Sequence, residues 1–188
     1  MKRLFVILIL ISLGFFNCSQ ALINSATSLV HIKLSYERYN PRLQTDKYSA
    51  FNNKSIFLSS FSNNAKNTTV FYYFSPDYKI KYGEYALSSY YWYCFAKAFN
   101  SIGITTYKDT APSNIPEFTF EFDYLTDQKM RYRVKVSKRY NVVYQRQFII
   151  KMPAPDSTGK AYLEDRAYQM VDAIIINILN DQNFAASL

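Results

Sequence analysis

The chain has 188 residues, which is the usual length of a single domain. Apolar residues make up 49% of it and aromatic residues 18%, enough to build a hydrophobic core and to exclude a largely disordered protein. Only four glycines, one histidine and two cysteines occur, which excludes glycine-rich-loop proteins and argues against a His/Cys metal site. The formal charge of +8 does not by itself indicate a function.

The N-terminal segment has the pattern of an export signal. Two basic residues precede an almost continuous apolar run over residues 4–13, which is too short to span a bilayer comfortably. Cys18 follows where bacterial lipoproteins carry their lipid-modified cysteine. We therefore predict a lipoprotein-type signal peptide over residues 1–17, with acyl chains such as palmitate on Cys18 as the membrane anchor. The alternatives are an uncleaved membrane anchor and cleavage near Ala21, which would release a secreted domain.

After the signal, the sequence predicts a short polar tether over residues 18–28 and one folded domain over residues 29–182. Alternation of apolar and polar residues predicts half-buried strands in four segments of this domain, and two further strand candidates, 55–61 and 69–74, are separated by turn residues. The four alternating segments are residues 30–36, 117–124, 130–136 and 144–152. The last three are joined by short turns and predict an antiparallel meander with one buried face.

Apolar residues spaced three and four apart predict amphipathic helices over residues 84–101 and 160–180. Gly103 lies where a left-handed residue is expected to end the first helix. The order of strands, helix, strands and helix favours a single-domain α+β fold. In this fold, a mainly antiparallel sheet carries both amphipathic helices on one face.

Residue types that commonly act in catalysis are few in this sequence and are scattered along it. His31, the single histidine, lies on a predicted strand, and Cys94 lies on the apolar face of the first predicted helix, which predicts a buried structural thiol. Phosphate-binding glycine motifs and zinc-protease motifs are also missing. We therefore predict a protein that is not an enzyme, with no catalytic residues, no metal and no cofactor.

Two carboxylates, Glu121 and Asp123, share one face of a predicted strand and could form an acid pair. The next strand presents three basic residues on the corresponding face: Arg131, Arg133 and Lys135. Opposite charges on neighbouring strands attract each other, so we predict cross-strand pairing rather than an acid–base site. Contact between the basic row and anionic lipid headgroups is the alternative.

Aromatic residues are concentrated between positions 71 and 93, where eleven occur. Tyrosine keeps a polar hydroxyl group and suits protein interfaces as well as cores. The residues between Tyr78 and Tyr82 are too polar for a pure core, which favours exposed rings there. We predict that Tyr73, Tyr78, Tyr82 and Trp92 bind a partner; a role in the core alone is the alternative.

Three features of this aromatic segment carry a family resemblance. They are the run Val70-Phe71-Tyr72-Tyr73 with the following Ser75-Pro76, the run Lys79-Ile80-Lys81-Tyr82, and Trp92 within a predicted helix. The pattern resembles the ABC-type transport auxiliary lipoproteins, which accompany MCE-type lipid transporters. In that family a strand leads through a short segment into an amphipathic helix with a tryptophan, and hairpins and a C-terminal helix follow.

The resemblance implies a lipid-anchored, non-enzymatic envelope protein that docks on an MCE-type periplasmic protein and supports lipid traffic between the inner and outer membranes. Cys18 is the one functional position that it assigns. It implies the periplasmic face of the outer membrane, with the inner membrane as the alternative, and no nucleic-acid partner; self-association is left open. Alternative functions are another outer-membrane assembly lipoprotein, of the lipopolysaccharide-insertion type, and a secreted binding protein or hydrolase.

Overall fold

The computed structural model describes most of the chain beyond the N-terminal segment. The described residues are 30–32, 34–65, 71–74, 79–82, 87–126, 128–156 and 159–188. The predicted signal peptide, Cys18, the tether and Tyr78 lie outside these residues.

The described residues form eight strands and three α-helices. The strands are β1 Val30–Ile32, β2 Ser55–Asn63, β3 Phe71–Phe74, β4 Lys79–Tyr82, β5 Thr105–Tyr107, β6 Glu117–Leu125, β7 Lys129–Lys138 and β8 Asn141–Lys151. The helices are α1 Leu87–Ser101, α2 Lys160–Leu179 and α3 Gln182–Ser187, and a 3-10 helix spans Thr45–Phe51.

A five-stranded sheet in the order β5-β2-β6-β7-β8 forms the centre of the molecule. The long ladders β6–β7 and β7–β8 are antiparallel, whereas β2 pairs in parallel with both β5 and β6. The parallel β2–β5 pair is possible because α1 crosses back over the sheet between the two strands. A separate small sheet has the order β1-β4-β3. The predicted single-domain α+β fold is therefore confirmed.

The helices pack on one face of the five-stranded sheet, as predicted. Alternate residues of β6, Phe118, Phe120 and Phe122, are fully buried because the pleat points them toward α1. The rings of Phe95 on α1 and Phe120 lie 4.9 Å apart between their centroids. The α2 residues that define its predicted apolar stripe are all buried: Leu163, Ala167, Met170, Ile174 and Ile178. The opposite face of the sheet carries charged and polar side chains.

Gly103 ends the turn after α1 in the predicted left-handed conformation, with φ of +85°. A Cβ atom at this position would lie 2.2 Å from Asn52 Oδ1. Both the backbone angle and the close approach of Asn52 therefore require glycine here.

The segment after β1 fastens the chain to the helices. We call residues 34–44 the N-terminal strap. The ammonium group of Lys97 on α1 donates to backbone carbonyls of the strap, and it lies 2.5 Å from the carbonyl oxygen of Tyr39. The Tyr168 hydroxyl on α2 donates to the Ser35 carbonyl at 2.9 Å. Arg42 pairs with Asp165 of α2. The strap thus covers the outer side of the helix layer.

The predicted strand over residues 30–36 is too long. β1 ends at Ile32, and residues 36–38 form a turn. Tyr36 leaves the strand pattern because its ring stacks on Tyr93 of α1, with 4.2 Å between the centroids. Alternation over only a few residues cannot distinguish a strand from a turn that packs on a helix.

None of the helices in the described part of the chain combines the length and the apolar character that crossing a bilayer requires.

Candidate functional site

The predicted partner-binding residues fall in two places. Trp92 lies in α1, and its side chain borders an open groove against β2. Tyr73 lies in β3, where its backbone pairs with Ile80, and Tyr82 is the last residue of β4. Of the four predicted residues, Trp92 is therefore the one around which a site can be built.

The groove beside Trp92 has a volume of about 290 Å³ and is open to solvent. Three elements contribute its walls: β2, the first turns of α1, and the residues that follow β5. The lining residues are Leu58, Ser59, Phe61, Ser88, Ser89, Trp92, Tyr93, Lys108 and Asp109. We call this feature the Trp92 groove. Its volume is at the lower end of the range of ligand pockets, and it suits a side chain or a chain segment of a partner.

The position of the groove follows from the pairing of β2. On one side β5 pairs only with Ser55–Phe57, so the later residues of β2 extend beyond the end of β5. The indole N–H of Trp92 donates to the carbonyl of Leu58, the first residue past that ladder, at 2.8 Å. Trp92 is only partly buried, so this hydrogen bond fixes the ring while one side of it stays accessible. Such a fixed, amphipathic ring suits an interface because little rotamer freedom remains to be lost on binding.

A chain of aromatic rings and one cation continues the groove. Trp92 and Tyr93 meet edge to face with centroids 5.0 Å apart, and Tyr93 stacks on Tyr36. The ammonium group of Lys108 lies 5.4 Å from the Trp92 ring centre and 5.2 Å from that of Tyr93. Cation–π attraction of this kind holds the lysine over the rings.

Lys108 is exposed and also donates to the Tyr93 hydroxyl at 3.1 Å. This hydrogen bond raises the pKa of Lys108, so the group is cationic at neutral pH. Asp109 places a carboxylate next to it at the groove margin. The groove therefore offers aromatic surface, serine hydroxyls and a charged rim, which is the composition of a binding site for a polar-rimmed protein surface.

Cys94 directly follows the groove residue Tyr93 in α1 but points into the core. Its side chain is fully buried, which confirms the predicted buried thiol, and this burial raises its pKa. A thiol held neutral in this way is a poor nucleophile. Within the described residues, no cluster of histidine, cysteine and carboxylate side chains could hold a metal ion.

Two of the three basic residues of β7 pair across strands as predicted, whereas Lys135 lies opposite Thr119 and has no ion pair among the described residues. Arg131 Nε lies 2.6 Å from Asp123 Oδ1, and Arg133 Nη1 lies 3.2 Å from Glu121 Oε2. Asn64 also donates to Glu121 at 2.9 Å. Both carboxylates therefore serve as partners of arginines rather than as an acid pair.

Several residues in or beside the groove are not predictable from the sequence pattern. Lys108 follows β5, a strand of three residues whose short alternating pattern gives no usable signal. The alternating pattern predicts a strand at Tyr36. Leu58 contributes through its backbone carbonyl, which no side-chain pattern reveals. The cluster of aromatic residues in the first half of α1 was the detectable signal, and it identified Trp92.

Searches of family models and of curated proteins found no match by sequence. Among solved structures, protein XCC0632 from Xanthomonas campestris, described as a DUF330 protein, is similar with a TM-score of 0.52. The similarity covers 86% of this chain and 95% of that protein at 11% identity. The crystal structure of an uncharacterized protein has a TM-score of 0.54 over 80% of this chain and 97% of its own length, at 10% identity. At such low identity these similarities show a shared fold and nothing about function.

Proposed function

We propose that this protein is a lipid-anchored, non-enzymatic envelope component that docks on an MCE-type lipid-transport protein. The observation that carries the docking half of the proposal is the Trp92 groove. It presents a fixed and partly exposed indole, two further aromatic rings and a lysine at one place on the surface. Tryptophan and tyrosine are among the side chains that contribute most binding energy at protein interfaces.

The anchoring half of the proposal rests on the sequence. The predicted export signal ends before Cys18, and eleven residues separate this cysteine from Val30, the first residue of β1. An extended segment of this length reaches roughly 40 Å. Acyl chains on Cys18 would therefore hold the domain close to a membrane and leave it free to turn toward a partner.

The element order supports the resemblance on which the partner is based. Strands β3 and β4 lead to α1 with Trp92, and the β6–β8 hairpins and α2 follow. This is the element order that the resemblance to the auxiliary lipoproteins of MCE-type transporters implies.

Cys18→Ala tests the anchor. We expect the mature variant to move from the membrane fraction to the soluble periplasmic fraction, because acyl chains are the proposed means of membrane attachment. The measurement is fractionation with a high-salt wash, together with the intact mass of the N-terminus. A correctly processed variant that stays on the membrane would show that Cys18 is not the anchor.

Co-purification from detergent-solubilised envelope tests the docking. We expect an MCE-domain protein to be recovered with the wild type and lost with Ser89→Trp, because Ser89 is exposed and lines the groove. The matched control, Gln169→Trp, places the same ring on the exposed side of α2 and should retain the partner. Equal recovery with both variants would place the interface elsewhere.

A further inference from the structure

The tip of the β7–β8 hairpin exposes apolar side chains to an unusual degree. We call residues 138–143 the hairpin tip. Tyr140 is 99% exposed, Val142 54% and Val143 47%. Single exposed apolar residues are common on protein surfaces, but here three of them fall within four positions. The tip therefore presents a small, protruding apolar surface.

The backbone of the tip is strained in a way that a simple turn would avoid. Lys138 pairs with Asn141, so Arg139 and Tyr140 form a two-residue loop. Both have positive φ, 46° for Arg139 and 69° for Tyr140. Hairpin loops of this shape strongly favour asparagine and glycine because larger side chains are strained there. The long β7–β8 ladder holds the loop in place, and strain held in this way is typical of functional segments.

The tip carries two cations without an ion pair. Arg131 and Arg133 of β7 pair with carboxylates on β6. Lys138 and Arg139, like Lys129 and Lys135 of β7, have no ion pair with any described residue, and Arg139 is exposed. Lys138 and Arg139 differ from the other two cations because they lie beside the exposed Tyr140.

The loop before β6 extends this surface. Tyr140 and Arg139 line a crevice of about 270 Å³ together with Ala111, Pro112 and Ile115, and the acidic residue Glu117 also lines it. Pro112 is exposed, and Ala111 and Ile115 are partly exposed. The same end of the sheet thus combines a protruding ring, small apolar side chains and two free cations.

We propose that the hairpin tip binds the surface of an anionic membrane. Tyrosine is enriched at the headgroup level of bilayers because its ring is apolar and its hydroxyl is polar. Lysine and arginine beside it attract the phosphates of anionic lipids. A convex tip of six residues offers far less area than the roughly 800 Å² per partner of a stable protein interface, which favours a membrane over a protein. This contact goes beyond the proposed function, because it requires neither the lipid on Cys18 nor the Trp92 groove.

Tryptophan fluorescence can test the tip directly, because Trp92 is the only tryptophan of the wild type. The variant Tyr140→Trp adds a second emitter at the tip. The probe is an excess of phosphatidylcholine vesicles containing about 30 mol% phosphatidylglycerol with brominated acyl chains, which quench tryptophans at the bilayer surface. We expect the added emission to fall about twofold or more in these vesicles, and much less in brominated phosphatidylcholine alone.

Two variants complete the test. Lys151→Trp places a tryptophan at the opposite, exposed end of β8 and should stay unquenched. Lys138→Gln with Arg139→Gln, added to Tyr140→Trp, should lower the apparent vesicle affinity about tenfold, because two cations are removed. Melting curves of all variants should match the wild type, since these side chains lie at the surface.

The proposal is wrong if Tyr140→Trp is not quenched in anionic vesicles, or if Lys151→Trp is quenched as strongly. It is also wrong if quenching is absent while Tyr140→Ala abolishes co-purification of a protein; the tip would then contact a protein rather than lipid. Because the vesicles are in excess and the readout is local to position 140, a missing lipid on Cys18 would not produce either result.

Discussion

Asp172 is a carboxylate that the fold removes from water. It is 6% exposed and accepts a hydrogen bond of 2.7 Å from the Tyr39 hydroxyl. Its second oxygen, Oδ2, is buried without a hydrogen-bond partner in the described structure. Burial therefore raises the pKa of Asp172, and the bonds from Tyr39 and the Arg42 amide only partly offset this effect. The hydrogen bond from the strap residue Tyr39 therefore affects the pKa of Asp172 on α2.

This arrangement predicts a pH-dependent cost of folding. Because the folded pKa is raised, Asp172 contributes its full stability below the ordinary aspartate pKa of about 4, and this contribution is lost as pH rises through the folded pKa. Asp172→Asn removes the titration and keeps an oxygen for Tyr39. We expect the free energy of unfolding of the wild type to fall relative to that of Asp172→Asn as the pH rises above the ordinary aspartate pKa of about 4. Urea unfolding at several pH values measures the difference.

The pKa values of Asp165 and Asp181 are lowered in the folded protein, so these two groups make stability rise with pH. Both are present in the wild type and in Asp172→Asn, so their effect cancels in the comparison. A wild type that gains stability relative to Asp172→Asn as pH rises would contradict the assignment.

Cys94 gives a second residue-scale prediction. Because its thiol is fully buried, Cys94→Ala should cost about 1–2 kcal/mol of unfolding free energy and leave partner recovery unchanged. The wild-type thiol should react with a thiol reagent only as fast as the protein unfolds. The measurements are a denaturation curve, a labelling time course and the co-purification above. Loss of the partner in a fully folded variant would instead indicate a functional thiol.

At the scale of elements, the apolar stripe of α2 joins the helix to the sheet. Ile174 is fully buried, and its carbonyl accepts a hydrogen bond from the Tyr132 hydroxyl of β7 at 3.4 Å. Ile174→Ala should therefore cost about 2–5 kcal/mol, since the cavity opens in the centre of the core. Gln169→Ala, on the exposed side of the same helix, should change stability by less than about 0.5 kcal/mol. Equal melting temperatures for the two variants would show that α2 does not pack as described.

The long elements were predictable because their periodicity extends over many residues. The meander of β6, β7 and β8 and the helices α1 and α2 all lie close to their predicted bounds. The pattern in β6 fails only at its end, where an irregularity between Phe122 and Tyr124 shifts the register and buries Leu125 in place of Tyr124. A bulge of this kind changes which face a residue occupies without changing the sequence alternation before it.

Short or non-local features were not predictable. β5 has three residues and α3 has six, too few for a period to be recognised. The parallel pairing of β2 depends on the path of α1 across the sheet, which local alternation does not encode. The aromatic composition of α1 is a local signal, and it identified Trp92. Lys108 lies at the groove only because of the position of β5, which local alternation does not encode either.

At the scale of the whole molecule, the Trp92 groove and the hairpin tip are formed by different elements, although the crevice beside the tip includes Phe57, the neighbour of the groove residue Leu58. The groove is formed by α1, the end of β2 and the residues after β5, whereas the tip lies at the end of the β7–β8 ladder. The strap, which follows β1, is fixed against both long helices through Lys97 and Tyr168. Its Tyr36 ring stacks on the groove residue Tyr93, so the strap borders the groove.

Site-specific photo-crosslinking in intact cells tests the proposed docking most directly. A photoreactive amino acid at position 89 would report contacts in the Trp92 groove, and one at position 151 would report contacts at the far end of β8. We predict a crosslink from position 89 to an MCE-domain protein and none to that protein from position 151. Crosslinks from position 89 only to unrelated proteins, or equal crosslinking to the MCE-domain protein from both positions, would contradict docking through the groove.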